Sequence, residues 1–102
     1  MNISNIYKSV WKSIIFSYYL SRKEECSTYR IFEVANDKLK YNDLNNKEVL
    51  FSKNELFSLL ESEGFTISEY TYENGVLGVL FSISKNEVKN SLIDDKIKKK
   101  GF

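Results

Sequence analysis

Apolar residues along the chain change period several times, and each change marks an element. In the N-terminal stretch ISNIYKSVWKSIIFSYYLSRKEE, Ile3, Ile6, Tyr7, Val10, Trp11, Ile14, Ile15 and Tyr18 fall within one broad helical arc. Phe16, Tyr19 and Leu20 lie outside that arc, so the second half of this helix should touch two things: the rest of the fold on one side, and a further element, a partner or a second copy on the other. The helix is expected within residues 1–25, although the β-branched and aromatic residues of 14–20 also suit a strand.

The hexapeptides FSKNEL (51–56) and ISKNEV (83–88) share a capping box inside a hydrophobic staple. Ser52 is the N-cap with Glu55 at N3, and Phe51 and Leu56 are the staple; Leu56, Leu59 and Leu60 then recur at helical spacing, and Gly64 sits where a left-handed residue ends a helix. A helix from Lys53 to Glu63 follows, with Phe65 packing back on Leu60. In the second copy Ser84, Glu87, Ile83 and Val88 repeat the device. The helix it starts has sparser apolar positions at Leu92, Ile93 and Ile97, with Lys98, Lys99 and Lys100 complementing its negative end. Two readings of the repeat stand: convergent caps, or internal duplication of a strand-strand-helix unit. Neither makes Ser-Lys-Asn-Glu a catalytic motif.

Between the two copies, FTISEYTYENGVLGVLFSIS alternates around Asn74-Gly75, a strong hairpin-turn signal. Leu77, Val79, Phe81 and Ile83 share one face and, across a two-residue turn, oppose Tyr72, Tyr70, Ser68 and Thr66. Phe65 and Ile67 then point the other way. Either both faces are covered or a bulge near Ser68-Glu69 shifts the register. Upstream, STYRIFEVANDKLKYNDLNNKEVLF reads as two strands turning at Asn36-Asp37, followed by an Asn-rich loop or strand extension to Phe51. The expected fold is a single α+β domain over 1–102, in the order α-β-β-α-β-β-α. It consists of an N-terminal helix, strand-strand-helix halves at 27–63 and 65–99, and a four-stranded antiparallel sheet packed by helices.

Composition narrows the chemistry. With 102 residues, 42% hydrophobic and 28% charged, the chain can bury a core and is too apolar for disorder. The bias toward Lys, Asn, Ile, Tyr and Phe, without proline, matches an AT-rich genome such as that of a phage or mobile element. No histidine and one cysteine, Cys26, exclude an internal disulfide and a four-ligand Cys/His zinc site. The expected setting is the reducing cytoplasm, with no signal peptide or membrane anchor. Arg22 and Lys23 would lower the Cys26 pKa while Glu24 and Glu25 oppose them, so a passive thiol is expected. Tyr19/Lys23 and Ser9/Lys12 have the spacings of dehydrogenase and penicillin-binding motifs but none of their companion motifs. The glycines build no phosphate loop. No catalytic, cofactor-binding or metal residue is assigned, and no enzyme activity is expected.

Charge is segregated. Residues 1–53 carry nine Lys/Arg and six Asp/Glu, residues 54–84 five glutamates and no basic residue, and residues 85–102 six lysines and three acids. These sum to the net +1. The acidic middle suits a basic partner. The expected function is therefore a small non-enzymatic protein-binding module, in its narrower form an anti-defence inhibitor from a phage or mobile element that blocks a basic nucleic-acid-handling protein. The partner-binding set is Glu69, Tyr70, Tyr72, Glu73 and Glu61, with Phe16 and Tyr19 on the first helix. Two alternatives stand beside it: nucleic-acid binding through Lys96, Lys98, Lys99, Lys100, Arg30, Lys38 and Lys40, and a homodimer through the aromatic helix.

Overall fold

A computed structural model describes residues 3–42, 47–72 and 74–91. The helical arc of the N-terminus forms α1 (Ile3–Leu20), and its inner positions Ile6, Tyr7, Val10, Trp11 and Ile14 are fully buried. The helix stops at Leu20 because Ser21 closes it locally: its hydroxyl accepts from the Lys23 amide and donates to the Glu25 carbonyl. The expected helix forms, and the alternative strand at 14–20 does not. Once the first turn of helix exists, each further residue adds a backbone bond at little cost, and the buried arc holds the segment.

After α1 come β1 (Glu25–Ala35), β2 (Lys38–Asn42), β3 (Glu48–Ser52), α2 (Lys53–Ser62), β4 (Thr66–Thr71), β5 (Val76–Ser84) and α3 (Lys85–Asn90). The sheet is antiparallel with the order β3-β2-β1-β5-β4. It has five strands where four were expected. The fifth is β3, whose sequence suits either a loop or a strand extension: Phe51 pairs with Leu39 and Val49 with Tyr41, so its short apolar alternation buries two side chains against β2. The first half therefore holds three strands before its helix and the second half two.

Both Ser-Lys-Asn-Glu copies are strand-to-helix junctions. Ser52 Oγ accepts from the Glu55 amide and Ser84 Oγ from the Glu87 amide, and all four staple residues are buried. Helix α2 ends as its sequence requires, with the Phe65 amide on the Leu60 carbonyl, the Gly64 amide on the Glu61 carbonyl, and Gly64 at φ +100. The remainder of the third helix, with Leu92, Ile93, Ile97 and the lysine tail, lies outside the described residues.

The core-forming face of the sheet carries Cys26, Phe32, Leu39, Phe51, Val79 and Phe81, and α1, α2 and α3 all join the core from that side. Trp11 meets Phe65 edge-on at 5.3 Å and Phe57 meets Phe81 at 6.0 Å. Residues 25–30 of β1 extend beyond the end of β2, and serines of α1 at four-residue spacing cover this stretch. Ser17 Oγ accepts from the Ser27 amide at 3.4 Å, and the Arg30 guanidinium donates to Ser13 Oγ, Ser9 and the Tyr29 carbonyl. A helix thereby satisfies a strand edge that would otherwise invite pairing.

The 65–84 hairpin resolves its register at the turn. The Tyr72 amide donates to the Val76 carbonyl at 3.0 Å, so three residues, not two, separate the paired positions, with Asn74 and Gly75 both at positive φ. This pairs Ile67 with Phe81 and Tyr70 with Gly78. Neither a bulge at Ser68-Glu69 nor a second covered face is needed: one extra turn residue sends Ile67 to the core and Tyr70 to the opposite side.

Candidate interaction surface

Among the described residues, no helix packs on the second face of the sheet. By strand alternation it presents Tyr29, Ile31 and Glu33 from β1, Lys40 from β2, Leu50 from β3, Tyr70 from β4, and Val76, Gly78 and Leu80 from β5, with Tyr72 just past β4. Ile31 is 60% exposed, Tyr70 48% and Tyr72 50%, high for large apolar or aromatic side chains on a sheet.

The tyrosines are organised. Tyr29 Oη and Tyr72 Oη lie 2.6 Å apart, and the Tyr29 and Tyr70 ring centroids are 6.3 Å apart. Gly78 makes the arrangement possible, because a Cβ there would meet the Tyr29 hydroxyl and the Tyr72 ring. The hydrogen bond between the two hydroxyls, helped by partial desolvation, pushes the Tyr29 pKa up to about 12. Lys40 closes one end of the surface, bridging Glu48 at 3.3 Å and Glu33 at 3.4 Å. Hydrogen bonding to Glu48 first, then Glu33, raises the Lys40 pKa. The centre of the surface is uncharged.

The sequence-derived contact set divides among several surfaces. Tyr70 and Tyr72 stand on the open face. Glu69 faces the helical side, bound to Lys53 Nζ at 2.9 Å. Glu61 is exposed on α2, and Phe16 (69%) and Tyr19 (76%) are exposed on α1. Glu73 lies outside the described residues. Of the nucleic-acid alternative, Arg30 is spent on the serines of α1, Lys40 on two glutamates, and Lys38 is exposed at the rim. Sequence reasoning missed Tyr29, Ile31 and Leu80. The signal for Tyr29 and Ile31 was the alternation of TYRIF, where they must oppose Phe32, but Arg30 on the buried parity of that strand obscured it.

Cys26 is buried, and desolvation pushes its thiol pKa up against the opposing pull of Lys85. A thiol held protonated in the core is a poor nucleophile. No group of three metal-ligating side chains occurs among the described residues, and no helix among them is long and apolar enough to cross a membrane. No protein family, curated protein or solved structure matches this chain.

Proposed function

We propose that the protein is a small non-enzymatic recognition module that binds another protein through the open face of its sheet. The observation carrying this reading is the ordered cluster of Tyr29, Tyr70 and Tyr72 beside Ile31 on a face that no helix among the described residues covers. Burying such side chains against a partner releases apolar area from water, and rings already held by each other and by the Gly78 notch lose little freedom on binding. The polar rim around an uncharged centre matches the anatomy of a protein interface. Obstruction of a basic nucleic-acid-handling protein is the narrower form of this reading, and its support is the acidic middle of the chain.

The test is affinity capture from the native host with wild type, Ile31→Asp and Phe16→Ser, partners being identified by mass. A partner held by wild type and Phe16→Ser, and lost with Ile31→Asp at unchanged melting temperature, supports the open face. Retention by Ile31→Asp with loss on Phe16→Ser moves the interface to α1. That second reading, self-association or partner binding through the helix, is favoured by the solvent exposure of Phe16, Tyr19 and Leu20. Light scattering of Phe16→Glu, against a dimeric wild type, decides whether the ridge joins two copies.

A further inference from the structure

At the hairpin-turn end of the sheet the helices fall short of the face they cover. There a cleft of about 550 Å³ opens between the β1–β2 turn, the start of α2 and the end of β4. Its floor is apolar: Leu39 and Leu77 are buried, and Val34 is 42% exposed although it stands on the core-forming side of β1. Its polar walls are Asp37 and the Lys53–Glu69 pair, two carboxylates against one ammonium, with the uncharged Asn36, Asn54 and Thr71 between them. Asp37 has no ion-pair partner among the described residues. Tyr72 lines the cleft and also belongs to the tyrosine cluster of the open face.

We infer that this cleft is an anchoring site for a long cationic side chain, lysine or arginine, of the partner protein. An aliphatic stem needs an apolar floor and its charged head needs acceptors at the rim, which is how such side chains lie on protein surfaces. Val34, Leu39 and Leu77 supply the floor, Asp37 and Glu69 the acceptors, and Tyr72 an aromatic face at the mouth. The net charge of the walls is negative, so an anionic side chain of the same length is repelled and a neutral one gains no such attraction. Lys53 is the internal competitor. It already occupies one acceptor, and because both members of its pair are partly exposed, that pair is weak enough for an incoming cation to share Glu69. The volume lies within the roughly 300–1,000 Å³ of ordinary ligand sites. The anchor takes the identity of its host from the open-face reading, but binding in the cleft is measurable without any partner.

The measurement is methyl NMR of the full chain titrated with N-acetyl-lysine methylamide, and with the norleucine and glutamate analogues as neutral and anionic controls. Saturable shifts at Val34, Leu39 and Leu77, with Kd in about the millimolar range, are expected for the lysine probe and weaker ones for both controls. Asp37→Asn and Glu69→Gln should each weaken lysine binding about two- to fivefold, whereas Lys53→Met should strengthen it by a similar factor. Ile31→Asp, on the open face, should leave it unchanged, so failure of the anchor and failure of the open-face interface are separate results. Equal binding of the norleucine probe, weakening by Lys53→Met, or the absence of saturable shifts would each overturn the proposal.

Discussion

One sheet presents two faces, and they spend similar side chains in opposite ways. On the covered face, Phe32, Leu39, Phe51, Val79 and Phe81 share one core with Ile6, Tyr7, Val10, Trp11 and Ile14 and are almost wholly removed from water. On the open face, Tyr29, Ile31, Leu50, Tyr70 and Tyr72 keep much of their surface in water, yet the tyrosines are fixed by a hydrogen bond and a glycine notch. Apolar area left in solvent contributes little to folding. Order among side chains that stabilise little is the ground for the recognition role proposed above, and that contrast separates the two faces more sharply than composition does.

The largest effect should come from the covered face. Trp11→Ala removes a fully buried ring packed on Phe65 and Tyr7 and should lower stability by about 3–5 kcal/mol in urea unfolding. A loss below about 1 kcal/mol would mean that α1 does not seal this core. Next come the caps: Ser52→Ala and Ser84→Ala should each cost about 1 kcal/mol. If only Ser52→Ala does, the short α3 contributes little to the fold.

Alkaline titration sharpens the comparison, because each face holds one tyrosine whose pKa is raised to about 12: Tyr7 by burial and Tyr29 chiefly by its bond to Tyr72. The ordinary value is about 10. The folded chain therefore retains these protons longer than the unfolded chain, so their contribution is complete below about pH 10 and is lost as pH rises through about 12. Tyr7→Phe and Tyr29→Phe should each flatten part of that decline, as followed by denaturant midpoints at stepped pH. Gly78→Ala should displace the flexible ends of Tyr29 and Tyr72 and return Tyr29 toward its ordinary titration, visible in phenolate absorbance. An unaltered titration would show that the notch does not hold the pair. The smallest stability effect belongs to Ile31→Ser, within about 0.5 kcal/mol of wild type, even though this face is where binding should be most sensitive.

Much of the local structure was legible because it rests on neighbours in sequence. The two Ser-Lys-Asn-Glu starts, the Gly64 stop and the inner arc of α1 each depend on residues within one or two turns, and all appear where the spacing places them. Strand β3 was only half legible, since five residues with two inward apolar positions do not distinguish a strand from an extension until Leu39 and Tyr41 lie opposite them. The surface was legible in kind but not in membership. Tyr70 and Tyr72 were identified, but Tyr29 and Ile31 come from a strand 40 residues earlier, and Glu69 turned to the other face when the register moved by one.

The sequence by itself determined where helices begin and end, where the chain turns, and that the fold mixes helices with an antiparallel sheet, because caps, staples and turn residues act over a few bonds. Only the tertiary structure decided that β1 lies beside β5, that the described helices α1, α2 and α3 share one side, and that three residues rather than two between Tyr72 and Val76 point the tyrosines outward. Strand side chains alternate with a period of two, so a single residue in a turn reverses which side of the sheet every one of them occupies. The packing of Ile67, opposite Phe81 in the hairpin, against the core selects between the two outcomes.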